Sequence, residues 1–166
     1  MIDTTKENLP YRPNVCIILV NRENRIFLGE RNLEQGIWQF PQGGAEPDLS
    51  LEENVLKELH EELGVDPEYL SIEKKLNATH TYDFLKTPEY AVGRWRGQAQ
   101  TFWLATFIGV DSAINIRRFQ PEFMNWRWAT PDQVKILADP KRLPGYAAPL
   151  LEIEEWIKKG GYGQRL

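Results

Sequence analysis

The stretch GGAEPDLSLEENVLKELHEELGV, residues 43–65, constrains this chain more than any other. It joins a glycine-rich loop to a short helix bearing three carboxylates, Glu58, Glu61 and Glu62. Ser50 and Glu53 have the spacing of a capping box and Gly64 stands where a helix terminates, which predicts a helix between them. At about 100° per residue, Leu51, Val55, Leu59 and Leu63 form one apolar stripe. Glu58 and Glu61 flank that stripe, and Glu62 projects almost along it. A carboxylate at the margin of a buried stripe is costly unless a cation or hydrogen bonds compensate it. Three acids within about one turn also repel each other, and a divalent ion removes that cost. The competing reading is a solvated acidic helix face; the glycine loop in front favours the ion.

The rest of the chain bounds the setting. Its 166 residues fit one domain with a proper core, and 42% hydrophobic with 27% charged residues is a globular balance that argues against disorder. A net charge of −4 excludes an extended nucleic-acid surface, which needs a basic stripe to neutralise many phosphates. A single phosphate chain held at one end by ions and a few arginines remains compatible with that charge. Cys16 is the only cysteine and lies in the apolar run VCIILV, so it reads as a small core residue with no internal disulfide. A reducing cytoplasm is the expected location, with no membrane span, because no apolar run approaches about eighteen residues.

Residues 1–10 are expected to be a flexible N-terminal segment, followed by a single domain over 11–166. The runs at 15–21 and 25–31 read as a β-hairpin. Residues 71–84 and 98–110 read as further strands, 114–119 as another candidate, and 126–128 as a short strand. Pro131 is expected to open a helix to about Leu137. A last amphipathic helix is expected from about Ala147 to Lys158, with Leu150, Leu151, Ile153 and Trp156 on its apolar side. No Lys-Ser/Thr ending marks a phosphate-binding P-loop, and neither His60 nor His80 has a partner at zinc-ligand spacing.

Residues 43–65 resemble the Nudix box, G-x5-E-x7-R-E-U-x-E-E-x-G-U with U apolar. Gly43, Glu58, Leu59, Glu61, Glu62, Gly64 and Val65 match in register, whereas Leu49 stands in place of the first Glu and Lys57 in place of Arg. The likeness extends to YRPNV (11–15), WQFPQGG (38–44), GQAQTFW (97–103) and PEFMNWRW (121–128), which are similar to bacterial RNA pyrophosphohydrolases and the related dinucleoside polyphosphate hydrolases. The resemblance implies an α/β fold, a mixed central β-sheet in an α/β/α sandwich. It also implies hydrolysis of phosphoanhydride bonds assisted by Mg²⁺ or Mn²⁺.

By this resemblance Glu58, Glu61, Glu62 and the loop residue Gly43 are candidate metal ligands. Glu122 would complete the cluster or accept a proton from the attacking water, so Glu61 and Glu122 are the candidate catalytic residues. Arg12, Arg31, Gln42, Tyr82 and Gln100 are candidate substrate contacts, although both arginines read equally well as surface residues. The resemblance implies either a 5′-triphosphate RNA end or a dinucleoside polyphosphate as substrate, with pyrophosphate removal from RNA preferred. A base-stacking aromatic near the C-terminus has no clear counterpart; Tyr146 is the nearest candidate. In the family the box Glu and Arg form a pair that steadies the catalytic helix, and Leu49 cannot make it, although Glu46 or Asp48 offers a substitute carboxylate. A non-catalytic Nudix fold that binds nucleotides or a protein partner is the alternative from another class; the three intact acids oppose it.

Overall fold

The computed structural model describes residues 5–165. Seven strands form one mixed sheet: β1 (Tyr11–Val20), β2 (Ile26–Arg31), β3 (Trp38–Gln39), β4 (Gln42–Gly44), β5 (Leu70–Asp83), β6 (Gly97–Phe107) and β7 (Phe123–Ala129). Among the described residues, three α-helices pack against it: α1 (Leu51–Leu63), α2 (Pro131–Leu137) and α3 (Leu143–Lys158). The spatial order is β3-β2-β1-β6-β5, with β7 beside β2 and β4 beside β1. Of these seven strands, β1 and β6 pair in parallel, over ten pairs from Tyr11↔Gly97 to Val20↔Thr106.

Strand alternation sorts the core into two layers. Val15, Ile17 and Leu19 of β1 pack with Val55, Leu59 and Leu63 of α1. Cys16, Ile18 and Val20 face the opposite way and pack with Val134 of α2 and with Tyr146, Leu150 and Ile153 of α3. Helices thus cover both faces of the sheet, the expected α/β/α sandwich. The edge of β1 is shared: its last residue pairs with β2 at Val20↔Ile26, while Asn14, Cys16 and Val15 pair with β4. The N-terminal half of β1 therefore receives the glycine loop that leads to α1.

The helices form where their caps demand. Ser50 Oγ accepts from the Glu53 N–H and Glu53 Oε1 from the Ser50 N–H, while Gly64 closes α1 in a left-handed conformation at φ 66°. Thr130 and Gln133 form the same reciprocal cap on α2, with Pro131 at its first position. No helix among the described residues is long and apolar enough to cross a membrane.

Several local expectations are corrected. Residues 114–119 form a loop rather than a strand, because the Asn115 N–H donates to the last-turn carbonyl of Leu63 at 2.8 Å and the segment caps α1 instead of joining the sheet. Ile114 and Ile116 are buried there against the α1 layer. Helix α3 begins at Leu143, four residues before Ala147, with Pro144 in its first turn and Pro149 buried within it. Leu151 is 65% exposed and does not belong to its apolar side. Residues 6–8 form a 3-10 turn, and Lys6 Nζ donates to the Phe84 carbonyl; of the expected N-terminal segment, residues 1–4 lie outside the described residues.

Candidate active site

Helix α1 projects its acids unequally. Glu58 and Glu62 are buried, 8% and 6% exposed, whereas the Glu61 side chain is 48% exposed. The buried pair faces the glycine loop: the Gln42 N–H donates to Glu62 Oε2 at 3.3 Å. A Cβ built on Gly43 would stand 2.2 Å from the Glu58 carboxyl carbon, so only glycine lets that carboxylate lie against the β4 backbone. Burial pushes the Glu58 carboxyl up to about 7; Lys57 opposes the shift, and the charges of Glu61 and Glu122 add to it. Burial likewise lifts Glu62 well above the usual carboxylate range, reinforced by Glu58 and Glu122. Glu122, in the loop before β7, is thus close enough to act on both acids through its charge.

The cation among these acids is Lys57. Its Nζ lies 3.0 Å from Glu61, 3.3 Å from Glu46 and 3.9 Å from Glu58. Burial disfavours its charge, but hydrogen bonds to Glu61 and Glu46 and the surrounding carboxylates outweigh that and raise its pKa. Glu46 therefore supplies the carboxylate that Leu49 lacks. It is held there by Asn54, fully buried on α1, whose Oδ1 accepts from the Glu46 N–H and whose Nδ2 donates to the carbonyls of Glu46, Leu49 and Ser50. Sequence reasoning missed Asn54; a polar residue beside Val55 on the inner side of a helix was the available signal.

The oxygen-only donor set of Glu58, Glu61, Glu62 and Glu122 fits a hard divalent ion. Two buried acids with raised pKa values and the glycine cradle at Gly43 agree with that fit. Among the described residues no three acidic, histidine or cysteine side chains are already gathered at ligand spacing.

On the other face of the sheet, the N-terminal ends of β1 and β6 and the C-terminal end of β5 carry a polar layer. Arg12 pairs in register with Gln98, and Asn14 with Gln100. Tyr82 stands opposite Gln98, and His80 opposite Gln100. The Arg12 guanidinium lies against Gly44, where a Cβ would stand 2.1 Å from Cζ, and 4.8 Å from the exposed ring of Tyr90. Asn14 is buried and bonded to Gln42, Gln98 and Gln100, and Gln98 reaches the Tyr82 hydroxyl at 2.6 Å. Strand β4 is the seam between the two groups: Gly43 meets Glu58, while Gln42 and Gly44 meet Asn14 and Arg12.

The structure thus brings Glu58, Glu61, Glu62, Glu122, Gly43, Arg12, Gln42, Tyr82 and Gln100 to one end of the sheet. Arg31 stands apart, its guanidinium paired with Glu34 at 2.5 Å, although β2–β7 pairing carries its backbone beside the Glu122 segment. Tyr146 is excluded as a base-stacking residue: it is 1% exposed, stacks on Phe40 at 4.2 Å, and its hydroxyl accepts from the Phe40 N–H. Asn14 and Gln98 were also missed, although Gln98 and Gln100 at period two already signalled a polar strip on one strand face.

Residues 10–151 match the NUDIX domain model. The chain is 37% identical over 149 residues to the RNA pyrophosphohydrolase of Zymomonas mobilis, covering 88% of this chain and 93% of that protein. It is 34% identical to that of Rickettsia bellii, covering 95% and 100%. Among solved structures, the E. coli dihydroneopterin triphosphate pyrophosphohydrolase superposes with a TM-score of 0.64 at 13% identity, covering 91% of this chain and 99% of that one. A C. elegans Ap4A hydrolase gives 0.58 at 18% identity, covering 84% and 98%. With the acidic helix, its glycine cradle and a family model spanning most of its length, this chain belongs to the NUDIX domain family.

Proposed function

We propose that this protein is a divalent-metal-dependent pyrophosphohydrolase that removes pyrophosphate from the 5′ end of triphosphorylated RNA. The observation that carries the reading is the pairing of two buried, charge-starved acids, Glu58 and Glu62, with an arginine across a three-residue strand. Likeness to RNA pyrophosphohydrolases at 37% and 34% identity over most of both chains supports the RNA end as substrate.

Hydrolysis of a phosphoanhydride needs the phosphate charge neutralised, a water activated and the two aligned. Glu58, Glu61, Glu62 and Glu122 would hold Mg²⁺ or Mn²⁺, which supplies charge neutralisation and acidifies a water when bound. Arg12 offers its guanidinium to phosphate oxygens, fixed between Gly44 and Tyr90. Glu61 and Glu122, the exposed members of the acidic group, would accept a proton from the attacking water. Gln42, Tyr82 and Gln100 would line the path of the first nucleotide. Arg31 would reach the phosphate chain only by leaving Glu34.

A second reading, cleavage of diadenosine polyphosphates, uses the same acids and the same arginine. The test is release of pyrophosphate from a 5′-triphosphate oligonucleotide with added Mg²⁺. Glu61→Gln and Glu62→Gln should each lower turnover by on the order of 10²-fold or more. Turnover near the parent value in both variants at saturating Mg²⁺ would remove these residues from the mechanism.

A further inference from the structure

The polar layer beneath Arg12 has one internal direction, and Asn14 is the group that couples its members. Asn14 Nδ2 donates to Gln42 Oε1 at 2.7 Å and to Gln98 Oε1 at 2.8 Å, while its Oδ1 accepts from Gln100 Nε2 at 3.1 Å. A primary amide has one accepting and one donating end, so each of these bonds fixes the orientation of the glutamine that makes it. With its Oε1 engaged, Gln42 turns its NH₂ away from Asn14. Gln98, held the same way, donates its Nε2 to the Tyr82 oxygen at 2.6 Å. That oxygen is then an acceptor inside the cluster, and the phenolic proton is directed outward. Gln100, which donates inward, turns its carbonyl outward.

Asn14 is 2% exposed, Gln100 4% and Gln98 7%, so water cannot readily compensate a reversed orientation. Ring contacts hold Tyr82 in place, with His80 at 5.6 Å and Phe84 at 6.2 Å. Rotating any one amide would bring two donors or two acceptors together, and the whole chain of bonds therefore reverses as a unit or not at all.

Building on the function proposed above, we infer that Asn14 is a positioning residue that couples the hydrogen-bond polarity of the nucleoside pocket, by locking Gln42, Gln98 and Gln100 and, through Gln98, the hydroxyl of Tyr82 into one mutually consistent orientation. The wall so set offers two donors, the Gln42 NH₂ and the Tyr82 O–H, beside one acceptor, Gln100 Oε1. Phosphate oxygens are acceptors only and would meet Gln100 unfavourably. Sugar hydroxyls and a base edge carry both donors and acceptors, so the nucleoside part of the substrate is the group this wall fits, while Arg12 and the acids take the phosphates.

Asn14→Asp keeps the shape but cannot donate. Gln42 and Gln98 must then turn their NH₂ groups inward, Gln98 presents its carbonyl to Tyr82, and the phenolic proton points inward as well. Both outward donors are lost without removing a contact atom. The Michaelis constant for a nucleotide substrate should rise on the order of tenfold or more, with turnover changing less. The inhibition constant of inorganic tripolyphosphate, which has no nucleoside, should rise less than the Michaelis constant, by no more than the added charge near Arg12 imposes. Tyr82→Phe should weaken substrate binding in the parent protein and add nothing in the Asn14→Asp background.

Gln98→Glu reverses the Tyr82 proton alone and supplies the same non-additivity test if Asn14→Asp does not fold. The parent enzyme's turnover of triphosphate RNA or diadenosine tetraphosphate selects the substrate and judges the proposed function separately. The inference on Asn14 is overturned if Tyr82→Phe costs the same in parent and variant backgrounds. It is equally overturned if tripolyphosphate inhibition weakens in step with substrate binding.

Discussion

At the scale of single residues, the candidate site gathers buried and crowded charges. Glu58 illustrates the consequence. Its folded pKa, about 7, lies above its ordinary value of 4.5, so the unfolded chain releases this proton first as pH rises. The stability it contributes is complete below the unfolded value and is lost as pH climbs through the folded one. In a chelator, the melting temperature should therefore fall between about pH 5 and about pH 8, and Glu58→Gln should flatten that decline. Melting that is flat or rises over this window in the parent protein would contradict the burial described for Glu58. Lys57 is the second case. Glu46 and Glu61 share it, at 3.3 and 3.0 Å. Removing the Glu46 charge should draw Lys57 wholly to Glu61 and withdraw a proposed metal ligand. Glu46→Gln is expected to raise the Mg²⁺ concentration for half-maximal rate by on the order of tenfold. An unchanged Mg²⁺ requirement would show that the Glu46–Lys57 pair has no bearing on the site.

Elements decide what the sequence made legible. Helix α1 was readable to its ends because its capping box and its left-handed Gly64 are local signals carried by adjacent residues. The acids on it were readable for the same reason, as a spacing on one helix. Strand β4 was not: three residues, two of them glycine, have no periodicity, and their strand character comes from Asn14, Val15 and Cys16, distant in sequence. Residues 114–119 misled because Ile114 and Ile116 alternate like strand residues, yet their burial comes from plugging the end of α1. Tyr146 misled in the other sense, since an aromatic after proline and glycine reads as loop, whereas α3 has already begun and the ring packs on Phe40. The seam role of β4 makes its own prediction. Gly44→Ala would place a methyl where the Arg12 guanidinium lies, 2.1 Å from Cζ. Displacing Arg12 should raise the Michaelis constant more than it lowers turnover, if its contact is equally strong in ground and transition states. A pure loss of turnover would instead mean that Gly44 serves the acids.

Across the whole molecule, the fold separates two groups of polar residues on the two faces of one sheet. The α1 face carries the acids, and the face toward α3 carries Arg12 and the amide layer, with β4 between them. A net charge of −4 disfavours extended contact with an RNA backbone, so lengthening an RNA past its first few nucleotides should add little affinity. Replacing its 5′ triphosphate with a hydroxyl should remove most of the binding. The measurement that tests the central claim most directly is competition between a 5′-triphosphate oligonucleotide and diadenosine tetraphosphate at equal Mg²⁺. The account predicts a higher specificity constant for the triphosphate RNA end. A higher constant for diadenosine tetraphosphate would contradict the RNA reading while leaving the acidic site and its phosphoanhydride chemistry in place.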